Sequence, residues 1–480
     1  MSSPRFSVVI PTREGAHTLK YTLQTCLVQD FDDYEIVVCD NHGSPATREL
    51  VDGLASPRIR YIRSDRPLSM SSNWELAVSR ATGEYVTVLG DDDGLLPHAL
   101  HTLDRLLRDL APPAIRWDAA FYLWPSIALP GEANYLRIPL GHALRALDGR
   151  AAIASVIAFQ QCYTTLPMLY NAVVHHSLLN SLRNKIGRLF RNRYPDVCSG
   201  FLIAHEAGRY LSLGVPMSVA GLSNKSVGVG HHFLPEKSSI GDEFLRLNAE
   251  EGVGTRKGIP DLHVFPVVPV ADCFQVAKEA LFPDDDTLQL DRKTVATHCV
   301  WCLRTDNLEQ WQRCMATIRA ALADDPGLLQ WFDTVLADYL PSISGPLRLR
   351  SPVLGFDGEK LHLNADEFGV EDVAGAAQLC GRILCYDQPG TSTLIRAAEE
   401  MSGVEQLHRQ LREKEAMIQS LAQAAEMYRR TVLERDQQVQ EQDRQLQHLL
   451  RATRYPRAIY RVLRAVARRL APFARTKRAS

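Results

Sequence analysis

Apolar and polar positions change period along the chain, and those changes mark out its elements. Between residues 6 and 124, short runs rich in β-branched and aromatic side chains predict strands: Phe6–Ile10, Glu35–Cys39, Arg58–Ile62, Tyr85–Leu89 and Ala119–Leu123. Between them lie stretches at helical spacing, with Leu19, Leu23, Cys26 and Leu27 after the first run and Trp74, Leu76 and Ala77 within Ser71–Ala81 after the third. Strands alternating with helices predict a parallel sheet covered on both faces. Three strands run out into polar or glycine-bearing loops: Pro11-Thr-Arg-Glu-Gly15, Asp40-Asn-His-Gly-Ser44 and Gly90-Asp-Asp-Asp-Gly94. Ligands bind beyond the carboxyl ends of such strands, so these loops should meet and form the site.

From residue 125 to 245 the pattern loosens into helical stretches, Leu144–Gln161, Leu178–Phe190 and Val197–Leu211, followed by the loop Gly221 to His232. Residues 1–124 and 125–245 are read as the donor and acceptor halves of one catalytic unit. Residues 246–400 read as a separate, mostly helical region of unassigned role, as in Asn307 to Ala323. No Gly or Pro interrupts the segment between Gly403 and Pro456, and apolar residues recur there every 3.5 positions. Its a positions are Val404, Leu411, Ile418, Ala425, Val432, Val439 and Leu446. Residues 403–450 therefore predict a coiled coil about 70 Å long that makes a homo-oligomer, although Lys414, Arg435 and Gln442 weaken the seam. A single helix folded back on the protein is the alternative.

Charge sharpens the picture at the C-terminal end. The chain has 480 residues, room for roughly three domains, with 45% hydrophobic residues and a formal net charge of −2. Residues 451–480 hold nine Arg, one Lys and no acid, so a +10 tail follows a −12 body. Ile459, Val462, Leu463, Val466 and Leu470 would share one helical face flanked by Arg457, Arg461, Arg464 and Arg468, a pattern suited to an anionic membrane surface. Sparse aromatic residues in the tail argue against a nucleic-acid partner. Ten scattered cysteines do not make a disulfide framework, and Cys299-x-x-Cys302 reads as two core thiols one helical turn apart. The first apolar stretch is too short for a signal peptide and no apolar run reaches bilayer length. The expectation is a cytoplasmic protein, peripheral at the inner face of the membrane.

The chemistry concentrates at Asp91-Asp92-Asp93. Three carboxylates at the end of an apolar strand call for a hard cation, Mg²⁺ or Mn²⁺, although Asp93 alone could cap the helix opening near Pro97. Asp40 ends the second strand, where a carboxylate either meets a nucleobase or ribose or simply closes an Asx-turn.

Phe6-Ser-Val-Val-Ile-Pro-Thr-Arg13, Val37-Val-Cys-Asp-Asn41, Ser71-Ser-Asn-Trp-Glu75 and Ala81 through Gly90-Asp-Asp-Asp-Gly-Leu-Leu-Pro97 together resemble a family 2 glycosyltransferase of the GT-A fold, of the bacterial surface-polysaccharide type. The resemblance is strong over residues 6 to about 110 and weak to about 235. It implies an α/β, Rossmann-like domain that holds a nucleotide-diphospho-sugar donor and transfers the sugar, with inversion, to a hydroxyl of a glycan or lipid-linked acceptor. By position it places Pro11, Thr12 and Glu14 at base and ribose, Asp40 at the base, Asn73 beside the donor, Asp91 at the ribose, and Asp92 on the metal with Asp93. The general base would be Asp196 in Tyr194-Pro-Asp-Val-Cys-Ser-Gly200, with a helix cap as the bland reading and Glu206 as runner-up. In the 221–232 loop, Lys225 would face the leaving group and His231 or His232 would add a metal ligand, unless this is an ordinary glycine-rich surface loop. Two positions depart from the family pattern: Gly90 stands where its first Asp is usual, and His42 separates Asp40-Asn41 from Gly43-Ser44. The competing readings are a non-catalytic scaffold working through the coiled coil and a nucleotidyltransferase. The latter would need a basic glycine-rich first loop, and here only Arg13 and Gly15 answer to that.

Overall fold

The computed structural model describes residues 3–230, 239–305, 307–339 and 348–384. His231, His232, the heptad segment 403–450 and the basic tail 451–480 lie outside the described residues.

Four of the expected strands form one end of an eight-stranded sheet: β1 (Phe6–Thr12), β2 (Tyr34–Asp40), β3 (Ile59–Arg63) and β4 (Tyr85–Val88), parallel and ordered β3-β2-β1-β4. The sheet continues through Ala172–His175, Ala114–Trp117, Arg209–Leu213 and Leu144–Asp148. Alternate side chains of β1 feed different cores. Phe6, Val8 and Ile10 pack with helices Ala16–Leu27 and Ala99–Leu110, whereas Val9 packs with helices Met70–Ser79 and Pro195–Ala207. Helices on both faces are what buried parallel strands require, and the α/β class expected from the alternation is the class observed.

Two helical expectations are corrected. Leu144–Asp148 is a strand, because it pairs antiparallel with Arg209–Leu213 at the sheet edge, and only Gly149–Ile157 is helical. The stretch expected as helix to Leu211 stops at Ala207, where Gly208 takes φ +66° and Arg209 turns into the sheet. The fifth expected strand, Ala120–Leu123, belongs to a second sheet of six strands, parallel to Ser218–Leu222.

Residues beyond 245 are mostly helical and pack on residues 1–245. Helix Val267–Leu281 shares the core of Pro195–Ala207, and strand Lys360–Asn364 pairs with Tyr135–Pro139 while helix Val373–Ile383 closes over the second sheet. Residues 259–336 also form a core of their own around Val295, Trp311 and Ile318. Within it Cys299 is buried but Cys302 is exposed, so that pair is one core thiol and one surface thiol. Among the described residues no helix is long and apolar enough to cross a membrane.

Candidate active site

Register delivers the first contact. Val9 pairs with Val88 between β1 and β4, so three residues on, Thr12 meets Asp91, and the Thr12 hydroxyl donates to Oδ2 of Asp91. A short strand β5 (Gly94–Leu95) runs antiparallel to Ser218–Leu222 with Gly94 opposite Val219, which sets Gly221 against Asp92. There the Gly221 N–H donates to Asp93 Oδ1 at 2.7 Å and the Trp124 indole N–H donates to the Asp92 carbonyl at 2.9 Å.

The three aspartates have different partners. Asp91 holds Thr12. Asp92 Oδ2 accepts from the Ser223 N–H at 3.2 Å, the Ser223 hydroxyl at 2.9 Å and the Ser226 hydroxyl. Asp93, expected as a metal ligand, has Oδ1 on Gly221 and Oδ2 on the Gly90 N–H at 2.8 Å, with the Tyr170 hydroxyl bonded to it as well. It does not cap the helix near Pro97 either, since that helix begins at Ala99 after His98. The Gly90 departure now has a cause: a Cβ there would lie 2.5 Å from Asp93 Oδ2. Gly15 and Gly221 are tighter still, their Cβ positions 2.0 Å from Asp91 Oδ2 and 1.9 Å from the Asp92 carbonyl oxygen. Gly221→Ala sets side chain against backbone, and the variant is expected to lose about 3 kcal/mol in denaturant unfolding.

Burial raises the carboxyls of all three, with the Asp92 charge adding to the effect on Asp91 and Asp93 and hydrogen bonds opposing it. Asp91 is pushed up to about 7 and Asp93 to about 8. A folded pKa above the unfolded value means the folded state holds extra protons between about pH 4 and pH 8, so stability is greatest below that window and is lost as pH rises through it. In chelator, the melting midpoint is expected to fall by several degrees between pH 5 and pH 8, and scanning calorimetry across that range checks it. A divalent cation is the other way to neutralise such a cluster. Among the described residues no three His, Cys, Asp or Glu side chains converge as a complete cage. Mg²⁺ or Mn²⁺ shared between one or two carboxylates and a substrate's phosphates needs none, and Asp91 and Asp92 are an oxygen donor set of that kind.

The remaining expected residues ring this cluster unevenly. Asp40 is fully buried and accepts from the Gly43 N–H at 2.8 Å, the Tyr61 hydroxyl at 2.6 Å and Arg63 at 3.3 Å, so its carboxylate closes the local turn three residues on. Glu14, at φ +54°, accepts from Ser44 through both oxygens. Pro11 follows the buried half of β1. Asn73 is buried against Cys39 at 3.4 Å rather than open to the cleft.

Asp196 lies in the first turn of helix Pro195–Ala207, where Tyr194 is the N-cap residue, so its carboxylate is not the cap. Burial pushes that carboxyl above the usual carboxylate range, with the backbone N–H groups of the turn opposing. Glu206 sits at the far end of the same helix, tied to Lys185 at 2.7 Å and Ser181 at 2.7 Å. Ten residues along a helix is about 15 Å, so Glu206 and Asp196 do not share a site.

Two neighbours carry no mark in the sequence. The Tyr170 hydroxyl bonds Asp93, and burial, then the charges of Asp93 and Asp92, and last that of Asp196, push its pKa well above the usual tyrosine range. Its ring stacks on Trp74 at 6.4 Å and 17°. Tyr170 thus links the strand-end carboxylates to the Asp196 helix. His17 bonds Asn224 and feels the charges of both Lys225 and Asp92; burial and Lys225 lower its pKa.

Residues 7–112 match the family model for glycosyl transferase family 2. The chain is 36% identical over 103 residues to GalNAc(5)-diNAcBac-PP-undecaprenol beta-1,3-glucosyltransferase of Campylobacter jejuni, covering 21% of this chain and 33% of that protein. It is 25% identical over 87 residues to UDP-Glc:alpha-D-GlcNAc-diphosphoundecaprenol beta-1,3-glucosyltransferase WfgD of Escherichia coli, covering 18% and 34%. The chain thus spans about a third of the length of these curated relatives. Among solved structures, S. aureus TarS 1-349 in complex with UDP-GlcNAc aligns at TM-score 0.39 and 14% identity, covering 67% of this chain and 92% of that one.

Proposed function

We propose that this chain is an inverting glycosyltransferase that moves a sugar from a nucleotide-diphospho-sugar to a hydroxyl of a glycan or lipid-linked acceptor in cell-surface polysaccharide synthesis. The observation that carries it is the Asp91–Asp93 cluster, half-buried at Asp91 and buried at Asp92 and Asp93, built where β1 and β4 run out and β5 begins, inside the segment that matches family 2.

In this reading the diphosphate lies over the carboxyl ends of β1 and β4, with Pro11, Thr12, Glu14 and Asp40 toward the base and ribose and Asn73 bracing Cys39 beneath. Asp91 and Asp92 would hold Mg²⁺ or Mn²⁺, which supplies positive charge to the diphosphate. Asp93 serves the backbone: it fixes Gly90 and Gly221 and so the shape of the cluster. Asp196 takes the proton of the acceptor hydroxyl. The acceptor oxygen then bonds to the anomeric carbon from the face opposite the diphosphate, and the bond from that carbon to the phosphate oxygen breaks with its electron pair leaving on the nucleoside diphosphate. A carboxyl raised toward neutrality is suited to that proton transfer. Lys225 and His17, which share the electrostatic surroundings of Asp92, would meet the charge of the leaving group. The names of both glucosyltransferase relatives point to a diphosphate-linked lipid acceptor. The basic tail would bring the enzyme to such an acceptor at an anionic membrane and the heptads would make it an oligomer.

Incubation with a panel of UDP-, GDP- and dTDP-sugars in Mn²⁺, following release of nucleoside diphosphate, tests the activity. Release from at least one donor is expected; none from any donor would favour the scaffold.

A further inference from the structure

Helix Gly149–Ile157 ends in a turn whose backbone is costly. Phe159 sits at φ +54°, a left-handed conformation that a bulky aromatic residue adopts only when its surroundings impose it. The turn lays the Phe159 ring on the His298 imidazole, with centroids 4.6 Å apart and planes at 29°. His298 in turn lies 5.2 Å from Trp301. Trp301 is 58% exposed, although Val295, Ala296, Cys299 and Val300 of the same helix, Arg292–Cys302, are all in the core. Next to Phe159, the side chains of Gln160 and Gln161 are exposed.

We propose that Phe159, Gln160, Gln161, His298 and Trp301 form a platform for the glycan portion of the acceptor, leading away from Asp196. The proposal deepens the transferase reading and rests on it. Ring faces take the apolar C–H faces of pyranoses, and a primary amide offers a donor and an acceptor side by side to adjacent sugar hydroxyls. Continuity with the site comes through the half-buried Tyr163, which comes soon after the glutamines: it packs against the core of the Asp196 helix, stands edge-on to Phe265 at 5.7 Å, and feels the Asp196 charge. The helical region 259–336, which carries no motif, thereby gains a role: it supplies one wall of the acceptor path.

The test uses full-length protein, the sugar donor found in the panel, and as acceptor probe a total saccharide and glycolipid extract of the native cells. For Trp301→Ala, and separately for a Gln160→Ala, Gln161→Ala pair, the extract concentration giving half-maximal transfer should rise about tenfold with the maximal rate within twofold. Trp301→Phe should recover most of the loss. Trp301 is exposed, so its variants should keep the wild-type melting temperature. Unchanged half-saturation in both sets, or a wild type that hydrolyses donor yet labels no saccharide in the extract, overturns the platform alone. A wild type that releases no nucleoside diphosphate from any donor overturns the transferase reading and the platform with it.

Discussion

Replacing Asp196 with Asn is expected to lower sugar transfer about 10³-fold while nucleotide-sugar binding stays at its wild-type strength. The carboxylate stands in the first turn of a helix whose cap is another residue, and its bonds to the backbone N–H groups of Val197 and Asp196 are ones an amide oxygen can also accept. The amide has nearly the same size, so helix and core should survive. What it lacks is the capacity to take a proton. In the proposed reading donor contacts belong to the strand ends of the other half, so steady-state kinetics should show a fall in kcat with little change in donor KM. A variant within tenfold of wild type would remove Asp196 as the base and return the choice to other residues near Tyr170.

Asp92→Asn should separate activity from stability. The Asn oxygen can still accept from Ser223 and Ser226, so the 221–226 loop should stay in place. One charge leaves a cluster in which it raises both neighbours, so the folded protein in chelator should melt no lower than wild type, and higher near pH 8. Transfer should nevertheless fall at least about 10³-fold, because the negative charge that would neutralise a cation beside the diphosphate is gone. Together, calorimetry and turnover on the one variant decide it. Lower stability with intact turnover would make Asp92 a structural residue. A group that weakens the fold while serving the chemistry is the usual sign of a functional site.

Much of this site was legible before the fold. β1, β2 and β4 fall within two residues of their expected ends, because their β-branched runs are buried on both faces and stop abruptly at Thr12, Asp40 and Val88. That fixed where three polar loops would emerge. Long-range pairing was not legible. Leu144 and Leu147 have helical spacing, but Arg209–Leu213, more than sixty residues away, turns the segment into an edge strand. Asp93 looked like its two neighbours, yet the antiparallel pairing of β5 with Ser218–Leu222 spends it on Gly221. Tyr170 and His17 had no periodic or motif signal at all, since only the packing of separate elements brings them to the aspartates.

Donor titration by calorimetry, in Mn²⁺ and again in chelator, bears most directly on the strand-end cluster. Wild type should bind a nucleotide-diphospho-sugar at least about tenfold more tightly with Mn²⁺, releasing protons as the carboxyls ionise, and Asp92→Asn should lose both effects. Equal affinity with and without the ion, in wild type and variant alike, would contradict the account.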